Sequence, residues 1–101
     1  MTNSQKVLNL LGMATRAGKL VSGEELTIAD IRSQKAKIVF VATDASPNTI
    51  KKIQDKSAYY NVKCVNEFTQ LELSQAVGRS RMILGVCDQG FAKKFQELLT
   101  K

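Results

Sequence analysis

Apolar residues first recur at helical spacing. Val7, Leu8, Leu10, Leu11 and Ala14 place a stripe along one side of a helix. Thr2 and Gln5 ahead of it have the spacing of a capping box, and Gly18 is a natural C-terminal stop. A short extended link, Lys19–Val21, follows. Ser22 and Glu25 then repeat the capping-box spacing and open a second helix, with an apolar face read as Leu26, Ala29, Ile28 and Ile31. At Lys37–Ala42 the pattern becomes an almost unbroken apolar, β-branched run, which predicts a central strand buried on both faces. Ser46-Pro47 starts a third helix running to Tyr59, with proline at its first position. Val62–Val65 alternates as a second strand. Thr69 and Glu72 open a helix to Val77, and Arg81–Val86 is a further strand. Asp88 caps the last helix, which turns Phe91, Phe95, Leu98 and Leu99 inward.

Strands that alternate with helices predict an α/β fold, with a largely parallel sheet covered on both faces. No repeat, low-complexity stretch or linker interrupts residues 1–101, and the one proline sits at a helix start. These features predict a single domain.

Composition narrows the function. The apolar fraction is 44%, ordinary for a globular chain. No apolar run approaches the roughly 20 residues of a membrane span. The first residues lack the basic patch and apolar core of a signal peptide, so the expected location is the cytoplasm. Cys64 and Cys87 each fall in an apolar run and read as reduced core thiols. There is no histidine and no C-x-x-C, which argues against a zinc site and removes the commonest general base. The reading is therefore of a non-enzyme needing no cofactor or metal. Fifteen Lys and Arg against nine Asp and Glu leave a net charge of +6, a surface that attracts polyanions.

Three stretches are candidates for chemistry. The first, Arg16 to Glu25, joins two helices through Gly18 and Gly23. It offers Arg16, Lys19 and the backbone N–H groups of a helix start to an anion. It is neither a Walker loop nor a dinucleotide fingerprint. Glu25 also reads simply as a capping-box residue. The second, Ala76 to Arg81, presents Arg79 and Arg81 beside Gly78, and arginine forks match phosphates and guanine edges. A solvated turn with a helix-ending glycine is the plainer alternative. The third is the pair Asp44 and Asp88, each just beyond a strand. There a metal or phosphotransfer site competes with capping and turn formation, which is favoured. Lys51, Lys52 and Lys56 read as a solvated helix face, followed by the aromatic pair Tyr59-Tyr60.

Taken together, the first two stretches resemble the ribosomal L7Ae family of kink-turn RNA binders, in particular its short bacterial members. The resemblance covers nearly the whole chain. It rests on Leu11–Gly23, on Val41–Thr49, on Ala76-Val77-Gly78 and on Asp88–Ala92. It implies a three-layer α/β/α sandwich around a four-stranded mixed sheet, with Lys19–Val21 as one strand. It further implies binding of RNA that bends sharply at sheared G·A pairs. In the family, a Gly-x-Asn-Glu run at the start of the second helix reads the guanines, and a loop before the last strand covers the bulge. Gly23 matches that glycine. Glu25 stands where Asn is usual, Leu26 where Glu is usual, and Ala29 where a lysine often meets phosphate. Val77 and Gly78 match the loop, and Arg79 stands where other members carry an apolar or basic residue.

The resemblance thus implies an RNA-binding, ribosome-associated protein, with RNA and possible ribosomal proteins as partners. Gly23, Glu24 and Glu25 would engage the G·A bases, and Arg16 and Lys19 the phosphates. Val77, Gly78, Arg79 and Arg81 would grip the bulge. Two alternatives stand beside it: a protein-interaction module of the same fold with weak RNA affinity, and a small nucleotide- or metal-binding domain using Asp44 and Asp88.

Overall fold

The structure, a computed structural model, describes residues 2–100. Its elements are α1 (Asn3–Arg16), β1 (Leu20–Ser22), α2 (Glu24–Arg32), β2 (Ile38–Val41), α3 (Pro47–Tyr59), β3 (Lys63–Val65), α4 (Gln70–Val77), β4 (Ile83–Val86) and α5 (Gln89–Leu99). Local chemistry accounts for most boundaries. Thr2 and Thr69 form complete capping boxes with Gln5 and Glu72. The Ser46 hydroxyl accepts from the Thr49 N–H ahead of Pro47, and the Asp88 carboxylate accepts from the Phe91 N–H.

The four strands form one sheet in the order β1-β4-β2-β3. β2 and β4 fill its centre and are buried at every position, as their apolar runs require. Helices α2 and α3 lie against one face of the sheet; α1, α4 and α5 gather against the other. The core is continuous through the sheet. Phe40 on β2 meets Phe95 of α5 edge to face at 5.2 Å and Phe68 at 6.3 Å.

Three sequence expectations are corrected. The sheet is mixed rather than largely parallel: β2–β3 is its one parallel pair, and β1–β4 and β2–β4 are antiparallel. Alternation alone misses this, because the return from α4 into β4 reverses direction. As a result Asp44, beyond β2, and Asp88, beyond β4, sit at opposite ends of the sheet and cannot share a ligand. Asp44 instead accepts the Gln70 N–H at the start of α4.

The second correction concerns the start of α2. Ser22 does not cap this helix. It pairs with Leu84 as the last residue of β1, and Gly23 takes the N-cap position with no side-chain cap. With the helix starting there, Thr27 and Ile31 are the buried face and Ile28 is half-buried. Ala29 is exposed, and Leu26 is 64% exposed. The third correction concerns the cysteines. Both are free but only half-buried, and Cys87 lies just past β4 rather than within it.

Candidate nucleic-acid interface

The exposed edge of β1 organises the site. Its antiparallel pairing with β4 brings the start of α2 beside the loop that enters β4, although some 60 residues separate them in sequence. The Gly23 N–H donates to the Ile83 carbonyl at 3.1 Å, fixing that junction. Gly23 holds φ +92°, a backbone geometry that side chains disfavour. Because no side chain among the described residues caps α2, the N–H groups of its first turn remain available to an anion, at the positive end of the helix dipole.

The opposing loop is held with equal care. Gly78 ends α4 at φ +81°, its N–H donating to the Ser74 carbonyl at 2.8 Å. The Ser74 hydroxyl then clamps Arg81 from both sides: it accepts the Arg81 N–H at 2.9 Å and donates to the Arg81 carbonyl at 3.2 Å. The Arg81 guanidinium reaches across the strand edge. Its Nε donates to the Ser22 Oγ at 2.9 Å and its Nη1 to the Ser80 carbonyl at 2.8 Å. Two of its five donors are thus engaged, which leaves the others for a ligand.

Arg81 forms the common wall of two grooves. One, of about 450 Å³, is lined by Ser22, Gly23, Glu24, Leu26, Ser80 and Met82. The other, of about 190 Å³, is lined by Thr15, Leu20, Ser22, Val77 and Arg79. Gly23, Glu24, Val77, Arg79 and Arg81 are therefore gathered around one strand edge, with Gly78 ending the helix that leads to them. Glu25 is exposed on the first turn of α2 and takes no part in capping.

Two of the sequence candidates lie elsewhere. Arg16 lines the groove between α1 and α4, beside Gly12 and Gln75. Lys19 is at the far end of β1, where its carbonyl accepts the Cys87 N–H. Four residues of extended chain, roughly 13 Å, separate it from Gly23. The two basic residues nearest Gly23 in sequence are thus not its partners in space.

Other residues contribute in roles that the sequence did not assign them. Ser22 and Ser74 hold Arg81. Leu26 turns an apolar side chain outward beside Gly23, on the wall where the resemblance expects glutamate. Lys52 on α3 pairs with Glu24 at 3.0 Å, neutralising the carboxylate closest to the groove. Leu26 turns outward because the buried face of α2 is the i, i+4 pair Thr27 and Ile31, one position round the helix from it. The two serines carry no signal of their role in the sequence.

Comparison with known proteins places this architecture. Residues 5–96 match the family model described as the ribosomal protein L7Ae/L30e/S12e/Gadd45 family. A protein from Enterococcus faecium named RNA-binding protein YlxQ is 60% identical over 97 residues, which cover 96% of this chain and 94% of that protein. A Bacillus subtilis protein of the same name is 46% identical over 91 residues, covering 89% and 91%. The solved structure of a protein with unknown function from Bacillus halodurans superposes with a TM-score of 0.91 at 33% identity, over 95% of this chain and 98% of that one. The Giardia lamblia 15.5kD RNA binding protein shares the fold at a TM-score of 0.80 and 17% identity, over 95% and 89%. With the family model and both close relatives spanning nearly its whole length, the chain belongs to the ribosomal protein L7Ae/L30e/S12e/Gadd45 family.

Proposed function

We propose that this protein binds structured RNA of the kink-turn type, in a binding rather than catalytic role, in the cytoplasm and in association with the ribosome. The observation that carries the proposal is the placement of the uncapped α2 start at Gly23 beside Arg79 and Arg81, across the β1–β4 edge. One wall offers backbone N–H groups and the other arginine forks. A sharply bent backbone with unpaired bases presents phosphates and base edges close together, as such walls require. The names of its close relatives as RNA-binding proteins, and its net charge of +6, support the same reading.

Within this site the roles divide by chemistry. Arg79 is exposed and unclamped, suited to a phosphate. Arg81 is pre-positioned, suited to a base edge or a bridging phosphate. Val77 supplies apolar surface for an extruded base. Glu24 and Glu25 accept hydrogen bonds where the family pattern has an amide, and Lys52 offsets the charge of Glu24.

The test is a gel shift with a kink-turn RNA, a plain duplex and a stem-loop at two salt concentrations. Preference for the kink-turn, retained at the higher salt, is the expected result. Equal binding of all three RNAs would refute kink-turn recognition. Leu26 favours a second reading, because a large exposed apolar residue at the expected reading position also suits a protein partner. In that case the kink-turn shows no preference, and Leu26→Glu leaves RNA binding unchanged. Ribosome association is checked by co-sedimentation with ribosomal subunits from a cell extract.

A further inference from the structure

A further groove, of about 610 Å³, runs between the C-terminal halves of α2 and α3. It is lined by Arg32, Lys52, Asp55, Lys56, Tyr59 and Tyr60. Its volume lies within the range of ligand-binding clefts, about 300–1,000 Å³. Charge in the groove is unevenly satisfied. Asp55 is paired with Lys51 at 2.9 Å and Lys52 with Glu24 at 3.0 Å. Arg32 and Lys56 have no ion pair among the described residues, so the groove carries two uncompensated positive charges.

The same groove is lined by Tyr59, 81% exposed at the end of α3. Folding gains little from a ring left in water. The ring nevertheless has an aromatic neighbour. Tyr60 is half-buried, its carbonyl accepts from Gln34 Nε2 at 3.4 Å, and its ring meets that of Tyr59 edge to face at 4.9 Å and 77°. Tyr59 therefore touches one ring and keeps most of its surface open to solvent.

An exposed aromatic face beside unpaired cations is what single-stranded nucleic acid recognition uses: cations track the backbone while the ring stacks a base. The groove is also linked to the site at Gly23 by an ion pair. The Lys52–Glu24 pair joins them, Lys52 lining one groove and Glu24 the other. Between them lies α2, nine residues and roughly 13 Å long. A strand leaving the Gly23 site along α2 would pass Lys52 and Lys56 before it meets Tyr59.

We propose that this groove binds a single-stranded RNA segment flanking the structured core, with one base stacked on Tyr59 and phosphates held by Lys56 and Arg32. The proposal rests on the RNA reading above and extends it to a second surface.

The experiment compares a kink-turn RNA without a tail, with eight uridines on its 3′ end, and with eight on its 5′ end, alongside octauridylate alone and octaglutamate. Binding is read by fluorescence anisotropy on the full chain. One of the two tails should tighten binding about tenfold. Tyr59→Ala should abolish that gain while leaving the untailed affinity unchanged, and Tyr59→Phe should keep it. Arg79→Ala should weaken tailed and untailed RNA alike and preserve the gain. Absence of a gain with either tail, or a gain that survives Tyr59→Ala, overturns the proposal. Octaglutamate binding as tightly as octauridylate also overturns it, by assigning the groove to acidic protein segments. Should the untailed kink-turn bind no better than a duplex, the reading of the Gly23 site fails separately. Tyr59-dependent binding of octauridylate alone would then still support the groove, and its absence would overturn it.

Discussion

The Ser22 hydroxyl accepts a 2.9 Å hydrogen bond from the Arg81 guanidinium, tying the end of β1 to the loop that enters β4. Ser22 thereby leaves its helix uncapped while it orients an arginine over that helix start. Ser22→Ala should cost about 0.5–1.5 kcal/mol of stability in urea unfolding and weaken RNA binding a few-fold. In an Arg81→Ala background the same change should have no further effect on affinity, a non-additivity that a double-mutant cycle reads directly. Arg81→Lys should not restore binding, because an ammonium lacks the planar fork that lets Nε bond Ser22 while the outer N–H groups meet a phosphate side by side.

Arg79 differs from Arg81 in being exposed, with none of the clamping that fixes its neighbour. Arg79→Ala should therefore leave the melting temperature unchanged and lower affinity. The slope of log K against log salt should become shallower by about 0.7–0.9, the contribution of one phosphate contact. Titrations at three salt concentrations measure it. An unchanged slope would show that Arg79 meets no phosphate.

Cys87 supplies a pH-dependent prediction. Its thiol is pushed up to about 11 from 9.0, first by burial and then by its hydrogen bond to Asp30 and the charge of that carboxylate; Lys35 and Lys37 act in the opposite sense. The protonated thiol is the form the fold favours. Its stabilising contribution is complete below pH 9 and is lost as pH rises through 11. At pH 8 the thiolate fraction should be about a hundredfold below that of an unperturbed cysteine. In a Cys64→Ala background, reaction with a disulfide reagent should therefore be slow at pH 8 and accelerate toward pH 11. Asp30→Asn should move that profile to lower pH.

The helices were legible in the sequence because their signals are local. Thr2–Gln5, Ser46-Pro47, Thr69–Glu72 and Asp88 each act within one turn, and each marks a true boundary. Ser22–Glu25 carries the same local signal and misleads. The competing claims on Ser22, pairing with Leu84 and bonding to Arg81, come from residues some 60 positions away. The sheet's mixed direction is likewise a long-range property. The L7Ae resemblance implied it, whereas alternation of elements did not. Among the candidates read from sequence, Gly23 and the Val77–Arg81 loop converge in the fold. Arg16 and Lys19 were grouped with Gly23 by proximity along the chain, and β1 carries them apart.

Gly12 shows how the far side of the molecule sets the position of the Arg79 loop. A Cβ added at Gly12 would lie 2.9 Å from the Ala76 carbonyl and 3.6 Å from the Arg16 Nη1. The Arg16 side chain can swing away, but the carbonyl belongs to the last turn of α4, next to Val77 and Gly78. Relief therefore requires α4 to move away from α1 and to take the start of the loop with it. Gly12→Ala should lower stability by about 1–3 kcal/mol, the usual range for overpacking, despite the higher helix propensity of alanine. It should also weaken RNA binding, although residue 12 lies outside the groove that holds Arg81 and Arg79. Chemical-shift mapping separates this from a purely global effect: amide shifts should concentrate at residues 76–81 and spare α2 and α3. Binding equal to that of the unmodified chain under fully folded conditions would show that the loop adapts to a displaced α4.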